Sequence, residues 1–297
     1  MTAAVIPGFL RRRVDLPGIG LSVQEAGHGP ALILLHGYPQ NGLCWARVVP
    51  EFVQEHRVIV PDLRGYGQSD APPDDVGHCA YSKRQMAADI VALMDALGLP
   101  DAMILGHDRG ARVAYRLALD HPTRVSRLGI IEIVPTADYW ANWGAELAMA
   151  AYHWTFLAQP APLPERMIEA DPTRYIDHTL RSWTQSRSLA VFPRESLASY
   201  RYQACEPERI HAMCADYRAG ATTDRADDEA DRAAGRKITA PLRFLHGHHG
   251  FPAKAGDPAG IWRTWATTVT ATACESGHFV MEENPTAVLD AFQPFFA

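Results

Sequence analysis

No Cys-x-x-Cys pair occurs in the 297 residues, and the five cysteines (Cys44, Cys79, Cys205, Cys214 and Cys274) are odd in number and widely spaced. That excludes a disulfide frame and a thiolate zinc site, and it implies free thiols in a reducing compartment. No apolar run is long enough to span a bilayer. The opening MTAAVIPGFLRRRVD sets its apolar stretch ahead of its arginines, the reverse of a secretory leader. A basic excess is missing too: the formal net charge is −6 and the arginines are scattered, so neither nucleic acid nor an anionic membrane is the expected partner. Internal repeats and low-complexity tracts are also absent. A cytoplasmic globular protein is expected, long enough for one large α/β domain with an insertion or for two small domains.

What is present is an alternation of strands and helices. ALILLHG (31–37), RVIVPD (57–62), AMILGHD (102–108) and RLGIIEIV (127–134) are near-continuous apolar runs, as strands of a parallel sheet buried on both faces are. Between the second and third, Met86, Ile90, Met94 and Leu97 recur at helical spacing behind Ser82, a suitable N-cap. Such βαβ units imply a doubly wound, mostly parallel sheet. From Thr136 to about Ala234 the chain turns rich in Trp, Tyr, Arg and Pro and reads as short helices. Strand character returns at 240–247 and 268–275, and NPTAVLDAFQPFF closes as a helix. The expected organisation is a core of residues 1–135 and 235–297 with a helical cap, 136–234, over the C-terminal ends of the strands, where open α/β sheets bind ligands.

The stretch GHDRGAR (106–112) joins a strand to a helix and matches the G-x-nucleophile-x-G elbow, with Asp108 where a hydroxyl or thiol often stands. A carboxylate there can attack carbon and form an ester with the protein. An aspartate at a helix start also serves as an ordinary N-cap, but three features in chain order favour chemistry. His36-Gly37-Tyr38-Pro39 ends an earlier strand, so the backbone N–H of Tyr38, with that of Arg109, can form an oxyanion hole. Gly277-His278 follows the last strand and supplies a general base for water. Glu132, at the end of the strand after the elbow helix, can orient His278 as a triad acid does.

These features, with DLRGYGQSD (62–70), resemble the α/β-hydrolase superfamily in its haloalkane dehalogenase and epoxide hydrolase branch. HGYPQN, GHDRGAR, LALDHP, YHWTFLAQPAP and CADYRAG resemble, more narrowly, the fluoroacetate (haloacetate) dehalogenases across nearly the whole chain. The resemblance implies an α/β-hydrolase fold, a homodimer and a small halogenated carboxylate as substrate. It also implies two-step hydrolysis through an ester on Asp108, with no metal or organic cofactor. It assigns carboxylate binding to Arg109 and Arg112, which flank the elbow at helical spacing and can grip a carboxylate bidentately. It assigns a halide pocket to His153, Trp154 and Tyr217, whose imidazole, indole and phenol can all donate; without it, aromatic core would be the reading of Trp154 and Tyr217. Arg116, a turn further on, is expected in a structural ion pair.

The chain departs from the family at the acid. Aspartate is usual where Glu132 stands, and the extra methylene calls for a shift of the backbone or of His278. Many relatives instead place an aspartate after the next strand, in a G-x-x-D pattern; this chain reads HGHHGF there, with Gly250 in the aspartate's position. Asp138 and Asp257 are outside candidates. An epoxide hydrolase would use the same Asp108 and His278, while arginines beside the nucleophile favour an anionic substrate. A non-catalytic binding module would not need Asp108, His278, Arg109 and Arg112 together, and a serine-type esterase lacks its hydroxyl.

Overall fold

The computed structural model describes residues 4–297; Met1, Thr2 and Ala3, at the head of the N-terminal stretch, lie outside the described residues. Eight strands, β1 (Leu10–Leu16), β2 (Ile19–Ala26), β3 (Ala31–Leu35), β4 (Arg57–Pro61), β5 (Ala102–His107), β6 (Val125–Ile131), β7 (Leu242–Gly247) and β8 (Val269–Cys274), form one sheet in the order β1-β2-β4-β3-β5-β6-β7-β8. β1 to β2 and β2 to β4 are antiparallel and the remaining pairs parallel. β3, β5 and most of β4 and β6 are buried, as their apolar runs require. β1 and β2 were not legible as strands: LRRRVDL carries three arginines and lies mostly exposed at the sheet edge, so it has no buried face to mark it. The opposite edge, β8, alternates between half-buried and exposed positions.

The helix predicted after Ser82 runs from Lys83 to Ala96 (α1), and the Ser82 side chain accepts from the backbone N–H of Gln85 at 3.2 Å. The elbow helix α2 (Asp108–Asp120) is buried from Asp108 to Leu119 and packs on α1, β5 and β6. Between β6 and β7 the described chain holds eight helices and no strand, including α3 (His153–Leu157), α4 (Pro172–Trp183) and α5 (Pro207–Ala221). The chain ends in α6 (Pro285–Phe296). All five cysteines are free. Among the described residues no helix is long and apolar enough to cross a membrane.

Register is what assembles the site. Leu35 of β3 pairs with Gly106 of β5, and Gly106 pairs with Ile130 of β6. The residues just beyond, Tyr38, Asp108 and Glu132, therefore emerge along one edge of the sheet. Ile131 pairs with Leu245, and Gly247 with Cys274, which brings the loops after β7 and β8 to the same edge.

Candidate active site

Asp108 begins α2 with φ of 47°, a left-handed conformation that a non-glycine residue adopts at a cost of about 1–3 kcal/mol. The turn is tight enough that a Cβ on Gly110 would lie 2.3 Å from the carbonyl oxygen of His36, so only glycine lets the helix close on β3. The backbone N–H of Tyr38 donates to Asp108 Oδ1 at 2.8 Å, so this predicted oxyanion donor already grips the carboxylate it would serve. Asp108 Oδ2 lies 3.7 Å from His278 Nε2, and that nitrogen has no hydrogen-bond partner. On its far side, His278 Nδ1 meets Glu132 Oε2 at 3.1 Å. Asp108, His278 and Glu132 thus form the linear array expected of a nucleophile, base and acid.

Burial, reinforced by neighbouring His107 and Arg112, pushes the His278 imidazole well below its ordinary pKa of 6.5, so it rests neutral. Burial raises the Glu132 carboxyl, against the backbone N–H groups of Gly247 (2.6 Å to Oε1) and Phe251, which favour the anion. Glu132 has a left-handed backbone (φ 64°), and its carboxylate fills the space a Cβ on Gly250 would take. Asp138 and Asp257 are engaged elsewhere: Asp138 Oδ2 accepts from Trp265 Nε1 at 2.7 Å and pairs with Arg232, and Asp257 caps a helix through Gly260 N at 2.9 Å.

The two arginines differ. Arg109, fully buried, is already neutralised: Nε and Nη2 bind Asp216 Oδ1 at 3.1 and 2.5 Å, and only Nη1 is left without a partner. Arg112 has no carboxylate partner among the described residues. Its Nη1 donates to Val134 O and Thr136 Oγ1, both at 3.0 Å, its guanidinium lies 4.6 Å from the Trp154 ring centroid, and its Nε is unpartnered. A buried, uncompensated guanidinium costs several kcal/mol unless an anion joins it. Arg116 is structural as expected, pairing with Asp228 and Asp231.

His153 and Trp154 open α3 and face Tyr217 on α5, with ring centroids 5.4 and 5.6 Å from it, both edge to face. Burial lowers the His153 pKa and raises that of Tyr217, so both rings are neutral. The Tyr217 hydroxyl and His153 Nδ1 are buried without partners. The Tyr139 hydroxyl and Trp45 Nε1 are buried without partners among the described residues as well.

The alpha/beta hydrolase fold family model matches residues 30–224. The chain belongs to this family. Along its length the hydrolase is 39% identical to the fluoroacetate dehalogenase of Burkholderia sp, over 94% of this chain and 90% of that one. It is 33% identical to the soluble epoxide hydrolase of Corynebacterium sp. (strain C12), over 94% of both chains. A crystal structure from Nostoc sp PCC 7120 superposes with a TM-score of 0.94 at 40% identity, covering 98% of this chain and 99% of that chain.

Residues that were not singled out in the sequence also stand at this site. Asp216 is a fully buried carboxylate; burial alone would raise its pKa, but Arg109 and Lys83 hold it low, and Tyr66 donates to its Oδ2 at 2.8 Å. Its place beside Tyr217 in CADYRAG was the available signal. Trp183 packs against His153 (4.2 Å between centroids) and His278 (5.4 Å). A cavity of about 550 Å³ is lined by Trp183, Gly250, Phe251 and His278 among others, while Asp108, Arg112 and Tyr217 do not line it.

Proposed function

We propose that the protein is a haloacetate dehalogenase, converting a 2-haloacetate and water to glycolate, halide and a proton. The observation that carries this reading is Arg112, a buried cation one helical turn beyond Asp108 that has no carboxylate partner among the described residues and calls for an anionic substrate. Arg109, with its spare Nη1, assists. Held by its carboxylate, the substrate presents its α-carbon to Asp108 Oδ2; the oxygen forms a C–O bond as the carbon–halogen bond breaks. The halide leaves toward His153, Trp154 and Tyr217. His278 then takes a proton from water, and the hydroxide attacks Cγ of the Asp108 ester. Tyr38 N–H and Arg109 N–H hold the oxyanion, and the alkoxide leaves with the proton from His278. Glu132 orients and stabilises the imidazolium. The helical segment 136–234 acts as a cap that carries the halide pocket and excludes water.

The epoxide hydrolase reading uses the same Asp108 and His278 and has Tyr217 as the hydroxyl that would protonate an opening epoxide. Arg112 is what weighs against it, since a neutral epoxide leaves that charge unpaired. Product formation from fluoroacetate, chloroacetate and styrene oxide, assayed side by side, separates the two: halide release with an inert epoxide is expected, and turnover of the epoxide alone would overturn the proposal.

The depressed pKa of His278 has a consequence for pH. The neutral base is lost only as pH falls through its pKa, so the ester-hydrolysis step should keep its rate well below pH 6.5. Single-turnover rates across the acid range test this; an acid limb centred at or above 6.5 contradicts it.

A further inference from the structure

Gly250 stands in the loop after β7. A Cβ there would lie 2.1 Å from Glu132 Oε2, 2.2 Å from Oε1 and 2.4 Å from the carboxyl carbon. No real contact is that short, so any side chain at 250 would have to displace the carboxylate or be displaced by it. The backbone itself does not demand glycine, because φ at Gly250 lies outside the left-handed region. Around the same point the N–H groups of Gly247 and Phe251 converge on Glu132, and His278 Nδ1 meets its other oxygen. A bare Cα and two backbone donors, one at the end of β7 and one in the loop after it, thus form a cradle for a carboxylate arriving from the end of β6.

We propose that Gly250 is a positioning residue, whose missing side chain lets glutamate, with its extra methylene, present a carboxylate to His278 from position 132. The proposal rests on the reading of Glu132 as the acid that orients His278. It makes the two positions interdependent: a longer acid at 132 requires glycine at 250, whereas aspartate at 132 would withdraw its carboxylate from the position a Cβ at 250 would take.

Single-turnover kinetics and thermal melts of Gly250→Ala, Glu132→Asp, the double variant and Glu132→Gln test this. Gly250→Ala should slow ester hydrolysis by about 10²-fold, the scale of a misplaced catalytic group, while ester formation and KM change far less. Adding Glu132→Asp should restore both the rate and the melting temperature to near those of Glu132→Asp alone, which itself should keep substantial activity. Hydrolysis by Gly250→Ala at the wild-type rate, or a folded double variant that is no faster than Gly250→Ala, would overturn the proposal. If Gly250→Ala does not fold, the double variant decides: recovery supports the cradle, and a second unfolded protein shows that the backbone itself needs glycine and overturns it. Glu132→Gln should slow ester hydrolysis more than ester formation. Full turnover by Glu132→Gln would remove the acid role, and the melting-temperature coupling between 132 and 250 would then still judge the cradle.

Discussion

His278→Asn is expected to stop turnover with Asp108 esterified. The base is used only in the second step, and its Nε2 faces Asp108 Oδ2 across 3.7 Å with no other partner. Losing a positioned base typically costs 10²–10⁴-fold, so ester formation should outrun hydrolysis and the adduct should accumulate. After incubation with chloroacetate, the peptide containing Asp108 should gain the mass of one carboxymethyl group, with one equivalent of halide released in a burst. In the wild-type protein, a single turnover in heavy-oxygen water should put the label into the Asp108 carboxylate before any reaches glycolate, because water attacks Cγ and not the substrate carbon. Label found first in the product, with no adduct in His278→Asn, would show that water attacks the substrate directly. Asp108 would then be a base or a helix cap, and the ester mechanism would be wrong.

The second large effect separates the halogens. Fluoride is a poor leaving group and strongly hydrated, so its departure depends on several donors aimed at one dry point. Chloride leaves more readily. The unpartnered Tyr217 hydroxyl, the indole of Trp154 and His153 Nδ1, in the tautomer that carries its proton there, are the candidate donors. Tyr217→Phe and Trp154→Phe should each cost about 10²-fold on fluoroacetate and markedly less on chloroacetate. Tyr217→Phe should at the same time leave the melting temperature unchanged or raised, since it removes a buried hydroxyl with no protein partner among the described residues. Arg112→Leu supplies the contrast. Both substrates share the carboxylate, so kcat/KM should fall for the two alike, by roughly 10²–10³-fold, as expected when one member of a buried charge pair is removed. Equal losses on both halides in Tyr217→Phe and Trp154→Phe would reduce these residues to cap packing.

Much of this site was readable before any fold was known, because the reading needed only short-range properties. Asp108, Arg109 and Arg112 lie within one and a half helical turns, so a strand-to-helix signature and helical spacing place them together. β3 to β6 announce themselves by apolar runs that end at polar or glycine residues. β1 escaped because three arginines on an exposed edge strand leave no buried face to mark it. His153, Trp154 and Tyr217 carried no physical signal beyond aromaticity; only the resemblance nominated them, and only the fold leaves Tyr217 and His153 with stranded polar atoms.

The sequence by itself determined the architecture, the elbow with its carboxylate and the order of nucleophile, acid and histidine, since these follow from periodicity and from residues adjacent along the chain. Tertiary structure alone decided how the charges are shared. Arg109 looks equivalent to Arg112 in GHDRGAR, yet α5 delivers Asp216 to the first and no carboxylate to the second. It also decided the fate of the acid. In the sequence, glycine at 250 reads as the loss of an alternative acid and Glu132 as a side chain one methylene too long. The pairing of β6 with β7 sets those two departures against each other, and the space lacking a side chain at one receives the carboxylate of the other. Nothing local encodes that complementarity, because it exists only between atoms that the sheet brings within van der Waals distance.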